Sequence, residues 1–76
     1  MARQVYDLEK LRCIDEVLEL PLGTVSGDEH LSELEAWDSV AVIRYLAMAD
    51  ERFHVFIEAH KVAECKTVVD LIALLT

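Results

Sequence analysis

The chain's one proline and both its glycines fall together, at Pro21, Gly23 and Gly27. Proline cannot donate into a helix, and glycine gives up the most backbone freedom in one. The cluster therefore ends a first helix and separates it from everything downstream. No other such breaker interrupts residues 28–76, and no repeat, low-complexity tract or linker appears. A length of 76 residues with one boundary of this kind fits a single domain over 1–76.

Apolar spacing predicts helices on either side of the cluster. A first helix is expected over about residues 3–19, with Leu8, Leu11, Ile14 and Leu18 inside an arc of roughly 120°. Residues 20–37 read as a long connection, in which Leu31 and Leu34 are placed to tuck one helical turn onto the core. A second helix is expected to begin at Asp38 or Ser39, with Asp38 as N-cap and Trp37 and Val42 as a hydrophobic staple. Val42, Leu46, Ala49 and Phe53 are its expected core face, flanked by Tyr45. Residues 53–57 are expected to turn and drop apolar groups into the core, before a brief third helix over 58–64 around Val62. The last helix is expected after Thr67, its N-cap, with Asp70 in the electropositive first turn and Val68, Leu71, Ile72 and Leu75 buried. The predicted fold is all-α, with three main helices, one short third helix, and a long loop between helices one and two.

Charge narrows the function. Seven Lys and Arg stand against fifteen Asp and Glu, a formal net charge of −8. A nucleic-acid binder needs cations to neutralise phosphates, and a membrane-surface module needs a basic segment, so neither partner is expected. At 54% apolar residues the chain is too hydrophobic for a disordered acidic tail. No apolar run approaches the roughly 18 to 20 residues of a membrane span, and the first residues have no signal-peptide core, so a cytoplasmic address is expected. The acidity is lopsided. Residues 1–38 hold three bases against ten acids, and Asp28, Glu29, Glu33, Glu35 and Asp38 follow one another with no base between them. Such a run is a solvated loop or a field that steers a basic partner towards its neighbour, Ser39.

Catalysis has little to stand on. A chain this short buries only about 60% of the surface its unfolded form exposes, too little for a deep dry active site. Cys13 and Cys65 with His30, His54 or His60 could supply a thiol and a base, but no motif flanks either cysteine. His54 and His60 lack an evident third metal ligand, and no Gly-rich phosphate loop is present. No catalytic and no metal-binding residues are expected. Both cysteines are expected to be reduced, partly buried thiols.

Two features of the second helix remain. Val40, Ile43 and Ala47 form an apolar strip away from its core face, which in a small domain is expected to meet a partner. Ser39 sits at the helix mouth, where the first N–H groups lack partners and the helix dipole is positive. A phosphate esterified to that hydroxyl would be well placed, although serine is also a common cap.

Trp37-Asp38-Ser39-Val40 resembles the Asp-Ser-Leu attachment motif of the acyl carrier protein family, and Thr67-Val68-Val69-Asp70-Leu71-Ile72 resembles the opening of that family's last helix. The spacing from Ser39 to Phe53, the upstream helix and the acidic loop extend the likeness over about residues 5–75. The resemblance implies a four-helix bundle of the acyl-carrier type. It implies that a phosphopantetheinyl transferase moves 4′-phosphopantetheine from coenzyme A onto Ser39, with Asp38 helping to present the serine. It implies a non-catalytic carrier, expected as a monomer, that holds acyl groups as thioesters on the arm. Acyl-loading and acyl-processing enzymes would be its partners, touching Val40, Ile43 and Ala47 and steered by Glu33 and Glu35.

The departures from that family's pattern are specific. Val40 replaces the usual Leu, Ala41 and Arg44 stand where many members have acids on helix two, and His54 stands where many have Gly. They point to a specialised lipid or secondary-metabolite (polyketide-like) pathway. An aminoacyl or peptidyl carrier of a nonribosomal-type pathway stays open, as does an unmodified acidic adaptor binding through Val40, Ile43 and Ala47. The helical pattern runs close to both ends of the chain, and a free-standing protein is expected.

Overall fold

A computed structural model describes residues 8–75. Its elements are α1 (Leu8–Val17), a 3-10 turn (Leu31–Glu33), α2 (Ser39–Phe53), α3 (Ala59–Ala63) and α4 (Val68–Ala73). No strand occurs among the described residues; one isolated antiparallel bridge joins His30 and Thr67. The all-α fold, the short third helix and the long first connection are as the apolar spacing predicts. The expected start of the first helix, residues 3–7, lies outside the described residues.

The core is one cluster. Leu11, Ile14, Val17 and Leu18 supply it from α1 and its end, Val62 from α3, and Val68, Leu71, Ile72 and Leu75 from α4 and its end. All four residues expected on the buried face of the last helix are buried. Leu31 is buried and Leu34 packs against the core, so the 3-10 turn tucks inward as expected. Leu8, expected in the first stripe, is 65% exposed. It opens α1, where nothing described lies over it.

α2 is rolled relative to its expected face. Its buried residues are Ala41, Tyr45, Met48 and Ala49, while Val42, Leu46 and Phe53 pack along the margin. The cause is Tyr45. Its ring is fully buried because its hydroxyl donates to the Leu71 carbonyl (2.6 Å), which satisfies the polar end and ties α2 to α4. Burial pushes the Tyr45 phenol well above its usual range, so it stays a donor. Ala41 and Ala49 flank it with side chains small enough for close packing.

Both long helices end on a non-glycine residue in the left-handed region, Glu19 (φ 60°) and His54 (φ 56°). The next residue then reaches back: Leu20 N–H to the Asp15 carbonyl (2.9 Å), Val55 N–H to the Ala49 carbonyl (3.1 Å). After His54 the chain alternates, with Val55 and Ile57 turned to the core and Phe56 86% exposed. The sequence expectation that residues 53–57 deliver their apolar groups to the core fails at Phe56.

The connection over residues 18–38 has little regular structure but many polar ties. Asp15, fully buried on α1, accepts from the backbone N–H of Gly23 (2.8 Å) and of Val25 (3.0 Å). Gly23 takes φ +92°, a conformation that suits glycine, to aim that N–H. Further along, the carbonyls of Gly27 and Glu29 accept from Val69 and Val68, and Leu31 N–H donates to Lys66 (2.8 Å). The loop carbonyls thus supply the partners that the first N–H groups of α4 lack within the helix.

Candidate functional site

The site is the junction where that connection becomes α2. Asp38 is in extended conformation, and its Oδ1 accepts from the Ala41 N–H (2.9 Å) while its carbonyl accepts from Val42 (3.0 Å). This is the expected N-cap, and it makes Ser39 the first helical residue. Trp37 just upstream is half-buried and meets the Tyr45 ring edge-on, centroids 6.1 Å apart. A ring wedged against the core on one side and a capped helix on the other fix the backbone of Asp38 and Ser39.

The side chain of Ser39 is exposed and makes no hydrogen bond among the described residues. The chain's two other serines sit differently. Ser26 donates its hydroxyl to Glu29 (3.2 Å), and Ser32 lies inside the 3-10 turn. Only Ser39 opens a long helix. The Ala41 N–H is taken by Asp38, but those of Ser39 and Val40 have no carbonyl within the helix and face the same end. A phosphate ester on Ser39 Oγ would meet both N–H groups and the positive end of the helix dipole, so the residues present suit an attached phosphodiester.

Around this point, Glu33, Glu35, Val40, Ile43 and Ala47 are all exposed. Val40 and Ile43 are 50% and 67% exposed, so the second apolar strip of α2 is open to solvent. Glu33 and Glu35 pair with no base among the described residues. Arg44 lies 3.3 Å from Glu19, and Arg52 lies 2.8 Å from Glu16 while its other nitrogen donates to Cys13 Sγ (3.2 Å). Both α2 arginines are thus turned to α1. Ala41, grouped with the surface departures on sequence grounds, is 1% exposed and cannot touch a partner.

Two further acids shape the surroundings. Glu29 folds back onto its own loop. Slight burial opposes its charge, but the N–H groups of Ser26 and Gly27 outweigh that and hold its carboxyl below the usual range. The N–H groups of Lys66 and Thr67 do the same for Asp70, closing a capping box with Thr67 at the start of α4. The thiols do not form a site. Cys13 is 2% exposed in the α1–α2 contact, and burial pushes the Cys65 thiol up. Among the described residues no three His, Cys, Asp or Glu side chains gather in a way that could hold a metal ion, and no helix is long and apolar enough to cross a membrane.

Sequence reasoning missed Asp15 and Phe56. A signal for Asp15 was present: it lies four residues after Leu11 and three before Leu18, inside the buried arc of α1.

Residues 11–75 match the phosphopantetheine attachment site family. The match covers most of the chain, which therefore belongs to this family of carrier domains. It is a phosphopantetheine-carrying protein, a domain on which 4′-phosphopantetheine is covalently attached and which works with a phosphopantetheinyl transferase and biosynthetic enzymes. No curated protein and no solved structure gives a match.

Proposed function

We propose that Ser39 is the attachment residue and that the protein carries acyl groups between enzymes of a specialised lipid or polyketide-like pathway. One observation carries the first part: Ser39 is the serine with a free, exposed hydroxyl at the first position of a long capped helix. In the loading step Ser39 Oγ forms a new P–O bond, its proton passes to a base on the transferase, and the pyrophosphate linkage of coenzyme A breaks, with the nucleotide leaving. Asp38 acts as a positioning residue. Its carboxylate, held on the Ala41 N–H, fixes the turn from which the hydroxyl projects. When bound, the group supplies a terminal thiol that holds an acyl chain as a thioester.

The chain's remaining contribution is as an address. Unpaired Glu33 and Glu35 give a negative field beside Ser39, which speeds encounter with basic partner surfaces. Val40, Ile43 and Ala47 give a small apolar contact that releases quickly. The altered α2 surface supports a specialised pathway, because Arg44, paired with Glu19, stands where many members of the family have an acid. The protein is itself no enzyme. Its two free thiols suit a reducing cytoplasmic setting.

Intact mass after incubation with coenzyme A and a competent transferase tests the attachment. One phosphopantetheine is gained by the wild type and none by Ser39→Ala. Offering the holo-protein to a panel of acyl-loading and amino-acid-activating enzymes tests the cargo. Loading with amino acids alone would replace the acyl reading with an aminoacyl carrier.

A further inference from the structure

Trp37, two residues before Ser39, is tied to the last helix twice. The first tie runs through side chains. The Trp37 ring meets the Tyr45 ring edge-on, with centroids 6.1 Å apart and planes at 78°, and the Tyr45 hydroxyl donates to the Leu71 carbonyl (2.6 Å). Tyr45 is fully buried, so the pair forms a strut from the mouth of α2 to α4. The second tie runs through backbone. Trp37 N–H donates to the Leu34 carbonyl (3.0 Å), Leu34 N–H to Leu31 (3.1 Å), and Leu31 N–H to Lys66 (2.8 Å), two residues before α4 begins.

Neither tie is needed to start the helix. Asp38 caps it locally, with its carboxylate on the Ala41 N–H. The cap leaves one freedom open: α2 can roll against the bundle, and its mouth with it, while the capping bond stays intact. Two ties on one residue remove that freedom. The strut sets the roll of α2, and the ladder of turns sets the path of the chain that enters it. A hydroxyl that must meet an activated phosphate in line gains from this, because a misplacement of about 1 Å can cost a reaction as much as about a hundredfold in rate.

Resting on the attachment reading, we propose that Trp37 and Tyr45 are positioning residues for the modification of Ser39, with α4 as their anchor. Neither is a catalytic residue, since both act through the backbone that presents the hydroxyl. Tyr45 is 0% exposed, so no transferase can touch it in the folded carrier. The surface that a transferase meets is unchanged when the Tyr45 hydroxyl is removed. The loss therefore falls on kcat of the transfer and leaves KM alone.

Modification of the full-length protein by a competent transferase with coenzyme A, followed by intact mass at several carrier concentrations, tests this. Trp37→Ala lowers kcat about tenfold with KM unchanged, and Trp37→Phe, which keeps an aromatic edge against Tyr45, restores most of it. Tyr45→Phe lowers kcat about threefold and quickens amide exchange at Ala41, whose N–H reports the cap beside Ser39. Leu71 keeps a second donor, the Leu74 N–H (3.2 Å), so the Tyr45→Phe carrier still folds. Ile57→Ala, a core variant beyond the other end of α2, lowers the melting temperature but leaves kcat as it is. A wild type that is modified normally, with kcat unchanged in Trp37→Ala and Tyr45→Phe, overturns the positioning role and leaves the attachment site standing. An equal loss of kcat in Ile57→Ala overturns it too, since the cause would then be general loosening, and so does a loss confined to KM. A wild type that gains no mass overturns the attachment reading itself, and the positioning role with it.

Discussion

The two connections flanking α2 differ in their polar ties. The one before it, residues 18–38, buries Leu18, Val25 and Leu31 and is fastened in addition by polar ties: Asp15 to Gly23 and Val25, Glu29 to Ser26 and Gly27, and loop carbonyls to the first N–H groups of α4. The one after it, residues 54–58, is fastened by apolar side chains, Val55 and Ile57, behind a left-handed His54. Hydrogen bonds to backbone fix direction, and so the first connection delivers Asp38 and Ser39 to the helix mouth in one geometry. Apolar packing fixes depth, with alternate side chains turned out, so the second presents Phe56 to solvent.

Removing one anchor from each connection separates the two. Ile57→Ala is expected to cost about 3 kcal/mol, through lost burial and the cavity left behind. Asp15→Ala is expected to cost a similar amount, about 3 kcal/mol, because the buried Val25 N–H and the part-buried Gly23 N–H both lose their acceptor and a fully buried side chain is removed. Urea denaturation reads both. Amide exchange separates them: Asp15→Ala strips protection from Gly23 and Val25, and Ile57→Ala does not. A loss below 1 kcal/mol for Asp15→Ala would mean that the loop is held by something other than that carboxylate.

Asp38→Ala comes next, at about 1 kcal/mol, the usual worth of an N-cap. It is also expected to slow modification of Ser39, since the hydroxyl's turn is loosened. Slowed modification with unchanged stability would give Asp38 a role beyond the cap. His54→Gly is expected to raise stability by about 0.5 kcal/mol, the relief of a left-handed side chain less the extra entropy of glycine. A drop in melting temperature would show that the His54 side chain contributes where it stands.

Acid gives the smallest effect. Glu29 and Asp70 have carboxyls lowered on folding, so the stability they lend is present above their unfolded values near pH 4 and is lost as pH falls through their lower folded values. Amide exchange at Ser26, Gly27, Lys66 and Thr67 should quicken below about pH 4, while Val55, bonded to the Ala49 carbonyl, keeps its protection. Both carboxylates are near the surface, so the change is modest. Equal loosening on both sides of α2 would contradict the distinction.

Much of this was legible in residues alone, for physical reasons. Pro21, Gly23 and Gly27 marked the only boundary because they are the only breakers, and Thr67 with Asp70, like Asp38 with Ser39, announced helix starts through cap chemistry that is local in sequence. What depended on distant partners was not legible. α2 is apolar on several sides, so spacing alone could not choose between Val42–Leu46–Phe53 and Ala41–Tyr45–Met48. The choice is made by the Leu71 carbonyl, which gives the Tyr45 hydroxyl a partner. Asp15 was not singled out, because its two donors lie across a loop. Phe56 read as core because a short aromatic run carries no mark of which alternate residues turn inward.

The claim on which the functional account turns is the place of the covalent bond, and fragmentation of the holo-protein purified from its own host locates it. The phosphodiester is expected on Ser39, within the segment that opens α2. Its discovery on Ser26 or Ser32, or a holo-form that survives Ser39→Ala, would contradict the account.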